Sequence, residues 1–124
     1  MESGSKIRIL VVDDNQCIRE ILTDLLSRRG HQCESATNGI EAMEKIKQND
    51  FDAVITDLQM PEMDGIVLTR ELHEHFSDLP VMIMTGQPDD SWVESAIGAG
   101  AREFLRKPFV ISELMMRLHR MLQV

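Results

Sequence analysis

The segment Ala53-Val54-Ile55-Thr56-Asp57 runs straight into Leu58-Gln59-Met60-Pro61. Its apolar and β-branched residues read as a buried strand, and Asp57 stands at the tip. An ionised carboxylate there is costly unless something pairs with it. Two other apolar runs end in a similar way: Ile9-Leu10-Val11-Val12 meets Asp13-Asp14, and Phe104-Leu105 passes through Arg106 into Lys107-Pro108. Three carboxylates and one lysine at the ends of separate strands point to a site.

Outward from residues 53–57 two sequence periods alternate. Residues 6–12 form a first strand. Asn15 then caps a helix whose apolar positions Ile18, Ile21, Leu22, Leu25 and Leu26 follow helical spacing, and Arg28-Arg29-Gly30 supplies its stop. A polar strand at 32–36 suits a sheet edge. Asn38-Gly39-Ile40-Glu41 reads as a capping box, with Ile40, Met43 and Ile46 facing inward. Asp64-Gly65 is a turn and cap for a helix to about residue 76, with Leu68 and Leu72 on its inner face. Pro80 opens a strand over 81–84 that ends at Thr85-Gly86. A short helix is expected over 89–97, stopped by Gly98 or Gly100, then a strand over 103–106. A last helix carries Ile111, Leu114, Met115, Leu118 and Leu122.

Five strands alternating with five helices through short loops predict an α/β fold, a parallel sheet covered on both faces. Ligands in such sheets bind at the carboxyl ends of the strands, where strand order reverses. Asp13, Asp14, Asp57, Thr85 and Lys107 all fall at carboxyl ends.

At 124 residues the chain fits one core. No apolar run approaches the ~20 residues of a membrane span. Met1-Glu2-Ser3-Gly4-Ser5-Lys6 lacks the apolar segment of a signal peptide, so residues 1–5 read as a leader, 6–122 as the domain, 123–124 as a tail, and the expected location is cytoplasmic. A net charge of −8 argues against nucleic acid as a direct partner. Residues 102–124 hold five basic and two acidic side chains, and Arg117, His119 and Arg120 read as complements to a helix dipole. Cys17 and Cys33 form no metal-ligand pattern and read as small buried hydrophobes.

Asp13, Asp14 and Asp57 would bring about three negative charges into one crevice, of which Lys107 offsets one. A hard divalent cation restores balance: Mg²⁺, with Mn²⁺ as a surrogate. A carboxylate beside such an ion, with a lysine and the Thr85 hydroxyl nearby, can act as a nucleophile towards phosphorus. The product would be a phosphoaspartate whose charge biases a two-state element.

Val11-Val12-Asp13-Asp14, Asp57-Leu58-Gln59-Met60-Pro61-Glu62-Met63-Asp64-Gly65, Met84-Thr85-Gly86, Ala99-Gly100-Ala101 and Phe104-Leu105-Arg106-Lys107-Pro108-Phe109, in that order, resemble the receiver domains of response regulators in two-component signalling. The resemblance implies a flavodoxin-like doubly wound sheet of order 2-1-3-4-5. Asp57 would be the phosphoacceptor. Asp14, the Gln59 backbone carbonyl and Asp57 would hold Mg²⁺, with Asp13 acting mainly through water. Lys107 and Thr85 would bind the phosphoryl group, Phe104 would be the switch aromatic, and Lys107-Pro108 a candidate cis peptide. Gln59 and Gln87 stand where the family tunes phosphoryl lifetime. The implied donor is a histidine kinase or histidine phosphotransfer protein. The implied output is contact with a downstream protein through the fourth helix, fifth strand and fifth helix, with homodimerisation on phosphorylation as a further possibility.

Such a chain promotes its own phosphorylation and dephosphorylation but is not an enzyme acting on a separate substrate. An aspartyl phosphatase would need a second acid where Gln59 stands. A phosphorylation-independent binding module would usually lack an acid, the acceptor or the lysine. A receiver excised from a larger regulator or hybrid kinase is a further alternative. Taken singly, Asp13 reads as a helix cap, Thr85 as a turn residue and Lys107 as a solvated lysine. His73 and His75 do not share a helical face, His31 and His119 are expected to be exposed, and Trp92 to be a partly buried residue of the fourth helix. The nine methionines read mostly as core filler.

Overall fold

The computed structural model describes residues 7–122. Its elements are β1 (Arg8–Val12), α1 (Gln16–Arg28), β2 (Gln32–Ala36), α2 (Gly39–Gln48), β3 (Ala53–Asp57), α3 (Gly65–His75), β4 (Val81–Thr85), α4 (Val93–Ala99), β5 (Glu103–Arg106) and α5 (Ile111–Leu122). The strands form one sheet in the order β2-β1-β3-β4-β5, with every neighbouring pair parallel. The polar strand β2 is an edge. Lys6 and the expected leader and tail lie outside the described residues.

Alternation along each strand divides the core in two. Leu10, Val12, Val54 and Ile83 pack with Ala42, Ile46, Leu68, Leu72 and Ala96 beneath α2, α3 and α4. Ile9, Val11, Ile55, Met82 and Leu105 pack with Leu22, Leu26, Leu114 and Leu118 beneath α1 and α5. Burial on both faces explains why β1, β3 and β4 are mainly apolar.

Caps set the helix starts. The Asn15 side chain accepts from the Ile18 N–H at 3.1 Å. Asn38 accepts from the Glu41 N–H at 2.8 Å, while Glu41 reaches back past the cap to the Thr37 N–H at 2.6 Å. Gly30, at φ 91°, follows α1 in the left-handed conformation that glycine adopts without steric cost.

Several sequence expectations are corrected. Ile21 and Ile40 are 53% and 48% exposed. In α2 Ile46 is buried and Met43 packs on the core as expected, but Gly39 and Ala42, not Ile40, complete the inner stripe. Helix α4 begins at Val93, not near Asp89, because Asp89 is spent on a turn in which it accepts from the Ser91 N–H and hydroxyl. Trp92 therefore precedes the helix, and it is only 6% exposed. Cys17 is exposed and Cys33 half-buried, both free thiols. His31 is half-buried, and its Nδ1 has no hydrogen-bond partner. Arg117 and Arg120 do more than complement a dipole: both pair with Glu103, at 3.0 and 2.8 Å, tying α5 to β5. Among the described residues no helix is long and apolar enough to cross a membrane.

Candidate functional site

Strand order reverses between β1 and β3, because β2 lies on one side of β1 and β3 on the other. Asp13 leaves the end of β1 and Asp57 ends β3, so the fold itself brings two carboxylates to this crevice. Asp13 is 1% exposed and Asp57 8%, whereas Asp14 is exposed. One carboxylate oxygen from each of the three lies within 4.8 Å of the others.

Lys107 comes from the opposite side. Its N–H donates to the Thr85 carbonyl at 2.7 Å, extending the β4–β5 pairing by one residue, and the following bond to Pro108 is cis. Its Nζ lies 3.0 Å from Asp13 Oδ2 and 3.1 Å from Asp57 Oδ1. The structure thus brings Asp13, Asp14, Asp57 and Lys107 into one cluster. Thr85 and Phe104 stand on the neighbouring strands. The buried Thr85 hydroxyl accepts from the Gln87 N–H at 2.9 Å. Phe104 is half-buried and meets the Trp92 ring edge-on, with centroids 5.2 Å apart. Gln59 is exposed beside Asp57.

Charge and burial oppose one another here. Burial raises the Asp57 pKa, the Asp13 carboxylate raises it further, and the Lys107 ammonium pulls the other way without prevailing. Burial works against the charge on Lys107, but Asp13 and Asp57 outweigh it and raise its pKa. Three carboxylates against one ammonium leave about two negative charges, and every donor in the trio is a hard oxygen. That set fits Mg²⁺ or Mn²⁺ and suits no soft metal.

Two supporting residues escaped the sequence reading. Gly65 was assigned only to a turn and cap, which it does form, with Asp64 accepting from the Val67 N–H at 2.9 Å. It also packs directly on β3: a Cβ at Gly65 would lie 2.3 Å from the Asp57 carbonyl oxygen. Arg19 donates from Nη1 to the Asp13 carbonyl at 2.8 Å. Its position just past a capped helix start was the available signal, since helical side chains lean towards the N-terminus. Two cavities of about 500 and 560 Å³ lie at the amino ends of the strands, with Asp52 and Asp78 lining both, and neither touches this cluster.

An Asp57→Asn variant is expected to be more stable than the parent at neutral pH without divalent cations. Asp57 has a higher pKa folded than unfolded, so its contribution to stability is present below the unfolded value of about 3.9 and is lost as pH rises through the folded value. The amide carries no such loss. Thermal melts in EDTA at pH 7 should show a higher melting temperature for the variant, each ~1 kcal/mol being worth about 4 °C in a domain of this size. The gain should disappear near pH 3.5, below the unfolded pKa. Equal melting temperatures at pH 7 would show that burial and Asp13 do not strain the carboxylate.

The sequence pattern of the response regulator receiver domain matches residues 9–119. The response regulator MprA of Mycobacterium sp. (strain KMS) is 39% identical over 117 residues, covering 94% of this chain and 51% of the relative. MprA of Mycobacterium leprae is 37% identical over the same length. The chain spans about half the length of these relatives. Among solved structures, chemotaxis response regulator CheY4 of Vibrio cholerae superposes with a TM-score of 0.89 at 28% identity, covering 94% of this chain and 99% of CheY4. Response regulator TrrA of Thermotoga maritima, solved in complex with Mg(2+)-BeF, has a TM-score of 0.85 at 31% identity, covering 93% and 98%.

Proposed function

We infer, since the chain belongs to the response regulator receiver domain family, that residues 6–122 act as a phosphorylation-dependent switch with Asp57 as phosphoacceptor. The observation that carries this reading is the cluster of Asp13, Asp14 and Asp57, with the Lys107 ammonium paired to Asp13 and Asp57. The donor is a phosphohistidine on a histidine kinase or histidine phosphotransfer protein, and the setting is cytoplasmic.

In the transfer an Asp57 carboxylate oxygen attacks phosphorus. The phosphorus–nitrogen bond of the donor breaks, its electron pair returns to the imidazole and a proton follows. Asp13, Asp14, Asp57 and the Gln59 carbonyl would hold Mg²⁺, or Mn²⁺ in its place, which supplies positive charge to the phosphoryl oxygens when bound. Lys107 faces Asp57 at 3.1 Å, so its ammonium can follow the charge from carboxylate to phosphoryl group. The Thr85 hydroxyl, which accepts from the Gln87 N–H, keeps its own O–H free to donate to that group, and moving towards it would draw the β4–α4 loop inward. Phe104 carries no hydroxyl, so its part is packing against Trp92 and the core. Water attack at phosphorus releases inorganic phosphate and restores the carboxylate. The chain resets itself without acting on a separate substrate.

The readout surface is α4, β5 and α5, which meets a downstream protein or a second phosphorylated copy. Exposed Ile97, Val110 and Met116 give that region apolar contact area.

Incubation with acetyl phosphate and Mg²⁺, followed by intact-mass spectrometry, tests the reading. One added phosphoryl group is expected, lost on EDTA pretreatment and absent in Asp57→Asn. No adduct would leave a phosphorylation-independent binding module. An adduct persisting in Asp57→Asn would place the acceptor elsewhere.

A further inference from the structure

We propose that Arg19 of α1 is a positioning residue for the divalent cation, holding the Asp13–Asp14 peptide so that Asp14 stays with Asp13 and Asp57. This rests on the reading of those three carboxylates as the cation site.

Asp13 is held at each of its polar atoms. Its N–H donates to the Ala36 carbonyl at 3.1 Å. Oδ1 accepts from the Asn15 N–H at 2.9 Å, Oδ2 from Lys107 at 3.0 Å, and the carbonyl from Arg19 at 2.8 Å. Asp14 is different. It is exposed, and among the described residues no hydrogen bond or ion pair engages its carboxylate. Its direction is therefore set by its backbone. The peptide unit is planar, so the grip on the Asp13 carbonyl also orients the Asp14 N–H and Cα.

Helix α1 delivers the guanidinium to that atom. The Arg19 N–H closes the first turn on the Asn15 carbonyl at 3.1 Å, and a side chain there leans back towards the loop. Arg19 is half-buried, so its bond to Asp13 is shielded from competing water. A guanidinium also offers several donors in a fixed plane, which suits it to holding a carbonyl in one orientation.

A purely electrostatic role would have the opposite sign. Arg19 is a positive charge near a site for a positive ion, so removing its charge alone would tighten cation binding. Removing a positioning bond loosens it. The direction of the change separates the two.

Mg²⁺ binding is measured by isothermal titration calorimetry on the parent, Arg19→Met and Arg19→Lys, with melting in EDTA recorded for each. Arg19→Met is expected to raise the Kd for Mg²⁺ about tenfold, as loss of a residue that orients a metal ligand does. Arg19→Lys, which restores one donor, should recover most of that loss. Unchanged or tighter binding in Arg19→Met overturns the proposal while leaving the cation site intact. If Arg19→Met does not fold, Arg19→Gln, neutral and with a shorter reach, decides by the same criterion. A parent chain that binds no Mg²⁺ overturns both the proposal and the reading beneath it, and that failure shows in the parent rather than in the variants.

Discussion

Lys107→Met is expected to slow phosphoryl uptake at Asp57 by about 10²–10³-fold, the usual loss when one preorganised donor to developing negative charge is removed. Methionine keeps an unbranched stem and removes only the charge and its hydrogen bonds. The ammonium is 3.0 Å from Asp13 and 3.1 Å from Asp57, and its loss leaves the two carboxylates facing each other. The Asp57 pKa, already raised by burial and by Asp13, then loses the group opposing that rise. The acid limb of the rate profile should therefore move upward. Adduct formation followed by intact mass at saturating Mg²⁺, from pH 5 to 9, measures both effects. A rate within about threefold of the parent would remove Lys107 from the transfer step. The parent carries a second signature. The raised Lys107 pKa stabilises the fold fully below the ordinary lysine value of about 10.4, and that contribution is lost as pH rises through the higher folded value.

Gly65→Ala should be the most damaging small substitution near the site. The added Cβ would lie 2.3 Å from the Asp57 carbonyl oxygen, 3.0 Å from Leu58 Cα and 3.1 Å from the Asp57 carbonyl carbon. All three are backbone atoms, so no side-chain rotation relieves the clash. Either α3 retreats, breaking the 2.8 Å bond from the Gly65 N–H to the Leu58 carbonyl, or the Asp57 peptide turns. A loss of about 3 kcal/mol is expected, the upper end for overpacking, or roughly 12 °C in melting temperature. Gly39→Ala is the milder comparison. It also meets close atoms, at 2.7–2.9 Å, but these are Sδ, Cγ and Cβ of Met63 and none is backbone. Sδ and Cγ can swing away, the Cβ contact needs a small shift of the Met63 loop, and a smaller loss than for Gly65→Ala is expected. If Gly65→Ala melts within a degree or two of the parent, the close approach of α3 to β3 is not a constraint.

The alternation of strands and helices is readable because β1, β3 and β4 are buried on both faces and mainly apolar, their polar residues being Arg8 at one end and Thr56, Asp57 and Thr85 at the carboxyl ends. The site residues were readable for the same reason: a charge at the end of such a strand has few structural explanations. Helix phase was harder. Ile21 and Ile40 obey helical spacing as well as their buried neighbours do, and only the position of the sheet shows which side faces it. In α2 small residues, Gly39 and Ala42, take the inner face so that the helix can pack closely, and hydropathy does not rank them above isoleucine. The helix expected from Asp89 starts only at Val93, four residues later, because Asp89 closes a turn through Ser91. The roles of Gly65 and Arg19 depend on distances to the backbone of Asp57 and Asp13, and composition carries no record of those.

The contact between Trp92 and Phe104 has a spectroscopic consequence. This chain has one tryptophan and no tyrosine, so its near-ultraviolet emission arises almost entirely from a single ring. That indole donates to the Asp89 carbonyl at 3.0 Å, meets Phe104 edge-on and lies 5.9 Å below the Arg106 guanidinium. It is walled off from water at the junction of β5 and α4. The protein therefore has a built-in, label-free fluorophore at that junction, free of any tyrosine background.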